Sequence, residues 1–279
     1  MYGGEPQPGN PERIGPSRVL PLRPALVAAL AAPGCRAVYA VTFGLSGDAL
    51  AAGDGNGRTY LWDMGGGLAG TFADPGSHGV LGVAFGLGGD LLAAASGSGH
   101  VYLWEVVTGK VAGTFIIPGD TTVYDVTFGP DGAVLAAACA NGWVYLWHMA
   151  TRGLIGAFAG PGSRGVNGVA FGPGGTLLAS ADANGQVYLW DVASGGLVGA
   201  FAGPGSRGVN GVAFGAGGAL LAAADANGQV YLWDLADGGL ACSFPDPASR
   251  GVNGVAFAPG GHLLATADGN GCTYLWKMS

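Results

Sequence analysis

Lysine is almost missing from this sequence. Its 279 residues include only Lys110 and Lys277, and charged residues of all kinds make up 10 %. With a formal net charge of −7 the chain lacks the clustered Lys and Arg that neutralise phosphates, which argues against a nucleic-acid partner. Histidine is confined to His78, His100, His148 and His262, in unrelated segments, and no GxSxG, P-loop or HExxH motif occurs. The chain is therefore expected not to be an enzyme and to carry no cofactor. Four cysteines stand far apart at 35, 139, 242 and 272, with no CxxC pair or Cys/His cluster, so no zinc site is expected. They are read as buried, reduced thiols; a Cys35–Cys272 bridge would not persist in a reducing cytoplasm. No apolar stretch approaches the ~20 residues of a membrane-spanning helix. No helical i, i+3, i+4 stripe of useful length appears either.

What remains is glycine and short apolar runs. Glycine numbers 57 and proline 16, a share that would ordinarily signal low complexity. Yet 49 % of residues are hydrophobic, the opposite of a disordered balance, so the glycines must punctuate apolar segments. Glycine shows no third-residue period, which excludes collagen. The excess of Ala, Gly, Pro and Arg over Lys suggests a GC-rich, bacterial coding genome.

A repeat organises nearly the whole chain. The string YLW recurs six times, ending at Trp62, Trp104, Trp147, Trp190, Trp233 and Trp276, at intervals of 42 or 43 residues. Segments 153–191 and 196–234 differ at only four of 39 positions, the mark of recent duplication. Each period holds four short apolar runs; in 196–234 these are GLVGAF, GVNGVAF, ALLAAA and QVYLWD, bounded by PG, GG or NG. Asn227-Gly228 predicts a tight hairpin with both residues at positive φ. Four strands per ~43 residues, repeated six times, is a blade pattern: an all-β, six-bladed β-propeller whose neighbouring blades bury each other's faces.

The endings YLWD at 60–63, 188–191 and 231–234, with the variants YLWE, YLWH and YLWK, resemble the WD-repeat β-propeller family, and FGPDG at 128–132 resembles that family's first hairpin. The resemblance covers residues 25–279, as repeats 25–63, 67–105, 110–148, 153–191, 196–234 and 239–277. It implies a scaffold that binds protein or peptide on its loop face. Two departures stand out. PGSRG replaces the family's Gly-His start, and Asn or Ser replaces its turn Asp, so the family's Asp–His–Ser–Trp network is expected to be incomplete. Asp54, Asp182, Asp225 and Asp268, two residues earlier, are candidates to substitute for it.

The sequence stops three residues after Trp276, so the last blade lacks a fourth strand, while residues 25–30 align with one. The expectation is that 25–30 completes the last blade and closes the ring. Residues 1–24, rich in Pro, Gly and Glu, read as a disordered tail. Residues 25–35 also look like a short export signal, but their match to 196–206 favours a repeat.

The PGSRG loops place Arg36, Arg164, Arg207 and Arg250 at equivalent positions, with His78 and Thr121 in the other two repeats. Ring symmetry gathers these guanidiniums on one rim, where they suit carboxylate or phosphate. The opposing reading is that each arginine bonds loop carbonyls or the nearby Asp. Further inward, Asn167, Asn210, Asn253, Tyr39 and Tyr124 are expected to border the channel mouth. Trp143 stands where other repeats place mostly polar residues and is a contact candidate. The DxNG turns invite a calcium reading, but the spacing fits hairpin chemistry better, and no metal is expected. The expected protein is a cytoplasmic, monomeric scaffold for an acidic or phosphorylated partner, without membrane or nucleic-acid contact. Two alternatives stand beside it: a small-ligand or quinone-binding enzyme propeller, and the sensor fragment of a larger signalling protein.

Overall fold

The computed structural model describes residues 30, 34, 37–44, 47–76, 78–247, 251–258, 260–268 and 273–278. The chain divides into units 1–30 and 31–279, and every described strand belongs to the second. Those strands form six antiparallel sheets, five of four strands and one of three, each sheet made from consecutive strands. They are arranged as the six blades of a β-propeller, numbered here in chain order: residues 38–73, 80–116, 123–159, 166–202, 209–245 and 252–277.

Blade 4 shows why the sequence folds this way. Its strands run Val166–Phe171, Leu177–Asp182, Gln186–Asp191 and Leu197–Ala202, from innermost to outermost. In the third strand, Val187 and Leu189 point to one side, Tyr188 and Trp190 to the other, and all four are buried. A strand apolar on both faces must lie between two layers. Val187 and Leu189 accordingly pack against Val209, Leu221 and Trp233 of blade 5, while Tyr188 and Trp190 pack against Val144, Leu146 and Phe158 of blade 3. The innermost strands approach closely because the third residue is Gly or Ala in all of them but that of blade 3. A Cβ at Gly168 would lie 3.2 Å from Gly211 Cα, and one at Gly82 only 2.8 Å from Asp125 Cα.

The hairpin between the second and third strands differs from the expectation. Among described non-glycine residues, only Asp120 and Arg152 have positive φ, so Asn227 is not left-handed; Gly228 alone is, at +85°. The loop has three residues, 226–228, and is set by Asp225, whose Oδ1 accepts the Asn227 N–H at 2.8 Å. That local side-chain turn removes the need for a second left-handed residue.

Among the described residues, innermost strands pack in series from blade 1 to blade 6. The innermost strands of blades 6 and 1 do not pack to a comparable extent. Val38, Val41 and Phe43 of blade 1 are 52 %, 64 % and 61 % exposed, and Leu275 of blade 6 is 57 % exposed. Their counterparts Val80, Val123, Val126, Leu146 and Leu232 are buried. Each uncovered valine forgoes about 2 kcal/mol of burial.

The last blade's third strand, Thr273–Lys277, pairs with Leu263–Asp268. The strand 25–30 expected to follow it, the tail 1–24, Cys35 and Cys272 lie outside the described residues, Leu30 apart. The expectation of buried thiols holds for Cys139, whose thiol burial pushes up to about 12, but Cys242 is exposed. Cys242 sits on an outermost strand, where no further blade layer covers it.

Candidate functional site

The PGSRG loops are fixed by the DxNG turns. At the junction of blades 3 and 4, the Ser163 hydroxyl donates to Asp182 Oδ2, while Asp182 Oδ1 accepts the N–H groups of Asn184 at 2.8 Å and Arg164 at 3.2 Å. The Tyr188 hydroxyl donates to the Pro161 carbonyl at 2.7 Å, and Asn184 Nδ2 donates to the Gly162 carbonyl at 3.2 Å. Ser206, Asp225, Asn227 and Tyr231 repeat the arrangement at the junction of blades 4 and 5. Each buried carboxylate is thus held by hydroxyl and N–H donors, as a clasp between hairpin and loop.

The clasp uses the backbone of the arginines and leaves their side chains free. Arg164 and Arg207 are exposed, and neither guanidinium has a hydrogen-bond or ion-pair partner among the described residues. The aspartates that could have neutralised them are engaged by Ser163 and Ser206 instead. Arg36 and Arg250 lie outside the described residues. His78 is exposed at the equivalent loop of blade 2, and Thr121 is half-buried at that of blade 3.

The inner candidates converge. Tyr39, Tyr124, Asn167, Asn210 and Asn253 all line one cavity of about 340 Å³ along the central channel. Their chemistry divides them. Asn167 Nδ2 donates to the Val209 carbonyl of the next blade at 2.9 Å, and Asn210 Nδ2 to the Val252 carbonyl at 2.8 Å. These two amides stitch blade edges together, a role their sequence positions did not reveal. Asn253, Tyr39 and Tyr124 are exposed. Trp143 lies on the rim, 41 % exposed, with its ring stacked on Tyr145 at 6.4 Å between centroids.

One channel residue escaped the sequence reading. Asp125 stands where the other blades have Gly82, Gly168, Gly211, Gly254 and Ala40. Its Oδ2 accepts the Val169 N–H of blade 4 at 3.0 Å and its Oδ1 accepts the Val126 N–H at 2.9 Å. Burial pushes its carboxyl up to about 6, against these two hydrogen bonds. A lone charged residue in a column of glycines was the available signal.

The family comparison agrees with this geometry. The model of the WD40 family, described as WD domain, G-beta repeat, matches residues 68–105, 109–148, 153–191, 195–234 and 240–277. These stretches cover more than half of the chain. The chain belongs to the WD40 family. No curated protein matches it. WD40 propellers are generally non-catalytic scaffolds that bind proteins or peptides.

The WD40 tryptophans show how the buried polar network is rebuilt here. Trp190 Nε1 donates to Ser180 Oγ at 3.0 Å in blade 4. In blade 6, Trp276 Nε1 donates to Thr266 Oγ1 at 3.0 Å, and the Thr266 hydroxyl donates in turn to Asp246. In blade 2, Trp104 Nε1 reaches Asp74 Oδ1 directly at 3.2 Å. These networks are partial and differ between blades. The second oxygens of Asp74 and Asp246 are buried without a hydrogen-bond partner among the described residues. Burial accordingly pushes the Asp74 carboxyl up to about 7, the Trp104 N–H opposing it. The Asp246 carboxyl is also raised, first by burial.

Proposed function

We propose that this WD40 propeller is a non-catalytic scaffold that takes an acidic or phosphorylated segment of a partner protein on its loop face. The observation that carries the reading is the pair of exposed, unpartnered guanidiniums of Arg164 and Arg207. Both sit on loops that buried serine–aspartate clasps hold in place. Little ordering entropy opposes binding to such a rim, and a guanidinium grips carboxylate or phosphate in a two-pronged geometry. Arg36 and Arg250 extend the rim by repeat position, and Tyr39, Tyr124 and Asn253 supply further contacts at the channel mouth. On this reading the chain acts as a monomer in the cytoplasm. Among the described residues no helix is long and apolar enough to cross a membrane.

The test is binding of a labelled oligoglutamate peptide and its phosphoserine counterpart. The native chain is compared with a variant carrying Arg164→Glu, Arg207→Glu and Arg250→Glu, once both show the same far-ultraviolet spectrum. The native chain should bind at low salt and weaken as salt rises. The variant should lose binding. Equal binding by both chains would overturn the rim as the docking site.

A further inference from the structure

The spaces between blades, at the strand ends remote from the PGSRG loops, differ in size. Between blades 4 and 5 the cavity measures about 170 Å³, and between blades 5 and 6 about 200 Å³. Leu177 and Phe214 line the first, Leu220 and Phe257 the second. The corresponding cavity between blades 1 and 2 measures about 590 Å³. One residue accounts for the contrast in kind. Leucine or valine opens the second strand in five blades, as Leu91, Val134, Leu177, Leu220 and Leu263. In blade 1 that residue is Ala49, and the space a leucine side chain takes in the other blades stays unfilled.

The lining divides by chemistry. Ala49 and Leu61 of blade 1 meet Phe85 and Val106 of blade 2, and all four belong to the apolar cluster between these blades. Asp63 stands directly across from Ala49 in the sheet, and residues so paired share a face. Its exposed carboxylate therefore lies beside the unfilled space, with Oδ1 accepting the Gly67 N–H at 2.9 Å. Asp48, the residue before Ala49, brings a second exposed carboxylate to the lining. No lysine, arginine or histidine stands among the described lining residues. An apolar cleft of this size with a few convergent polar groups suits a small organic molecule.

We infer that the cavity between blades 1 and 2 binds a small amphipathic organic cation, an amine joined to an aromatic or branched apolar body. The body takes the place of the missing leucine against Leu61, Phe85 and Val106. The ammonium group pairs with Asp63 at the mouth, with Asp48 adding to the negative field. Burial of the body supplies affinity for any ligand of this shape. The carboxylates supply the choice among them: a cation gains a charge-assisted hydrogen bond, and an anion meets like charge. Phe85 ends the strand that Val80 begins after the His78 loop, so this site lies at the other end of the blade from the arginine rim. The inference does not depend on the rim reading.

The test uses three probes that share one apolar body and differ in charge: 2-(1-naphthyl)ethylamine, 2-(1-naphthyl)ethanol and 1-naphthylacetic acid. Each is titrated calorimetrically at neutral pH into the full chain and into Ala49→Leu, Ala49→Val and Asp63→Asn, all with matching far-ultraviolet spectra. Leucine stands at the position of Ala49 in blades 2, 4, 5 and 6, and valine in blade 3, so both fillings are residues the fold already accepts there. The native chain should bind the amine at least about tenfold more tightly than the alcohol, and the acid most weakly. Ala49→Leu should weaken the amine by more than about tenfold, and Ala49→Val by less. Asp63→Asn should bring the amine to within about threefold of the alcohol and leave the alcohol unchanged. The inference is overturned if none of the probes binds or if the filled variants bind the amine like the native chain. It is equally overturned if the alcohol or the acid binds as tightly as the amine, or if Asp63→Asn keeps the preference for the amine.

Discussion

Asp74 shows how far one residue can depart from its repeat. Glycine occupies its place in blades 4 and 5, at Gly160 and Gly203, where the tyrosine rings fill the space a Cβ would need. In blade 2 the carboxyl sits there, raised to about 7 by burial and held among the described residues by the Trp104 N–H alone. A folded-state value raised above the unfolded one favours folding at low pH. The stabilisation is complete below about 3.8 and is lost as pH climbs through about 7. The chain should therefore unfold at a lower temperature at pH 8 than at pH 5. Asp74→Asn keeps an acceptor for Trp104 and removes the charge. It should shrink that difference, chiefly by raising the melting temperature at pH 8. Equal pH dependence in the two chains would mean that Asp74 is solvated. At Asp125, Asp125→Gly restores the residue of the neighbouring blades but strands the Val169 N–H. A loss of about 1–3 kcal/mol is expected in denaturant unfolding.

At the level of strand and turn, local chemistry was readable and its detail was not. The runs GLVGAF, GVNGVAF, ALLAAA and QVYLWD became Leu197–Ala202, Val209–Phe214, Leu220–Asp225 and Gln229–Asp234, because alternation and glycine breaks act within a few residues. The hairpin type was misjudged because the Asp225 carboxylate, two residues before Asn227, captures its N–H. The same carboxylate reaches back to Ser206, 19 residues earlier. Removing that hydroxyl isolates the loop. Ser163→Ala and Ser206→Ala should each cost about 1.5–3 kcal/mol in thermal or denaturant unfolding, as hydrogen bonds to charged groups do. Because the two clasps are copies, their costs should agree closely. A negligible cost in both would show that the loop is held by the tyrosine–proline contacts alone.

For the assembled blades, the decisive comparison is between chemically identical residues. Val126 is buried between blades 2 and 3, whereas Val41, the same residue of the same motif, is 64 % exposed. Val126→Ala should cost about 2 kcal/mol and Val41→Ala a few tenths, measured by the shift in denaturant midpoint. A cost for Val41→Ala equal to that of Val126→Ala would show that the face is covered in solution.

Period, strand count and family were written into the chain itself. Six YLW strings, PG and NG breaks and alternating apolar runs depend on neighbours in sequence, and short-range sterics act on them wherever the strand ends up. The arginine loops and the exposed Trp143 were legible for the same reason: they are odd residues in a regular pattern. Partnership was another matter. Asn167 became a stitch, and Asp182 took Ser163 rather than an arginine. Val41 lost its cover while Val126 kept it. Burial and hydrogen bonding depend on what a second segment, tens of residues away, brings alongside, and a repeat that copies residues cannot copy the neighbour each copy will meet.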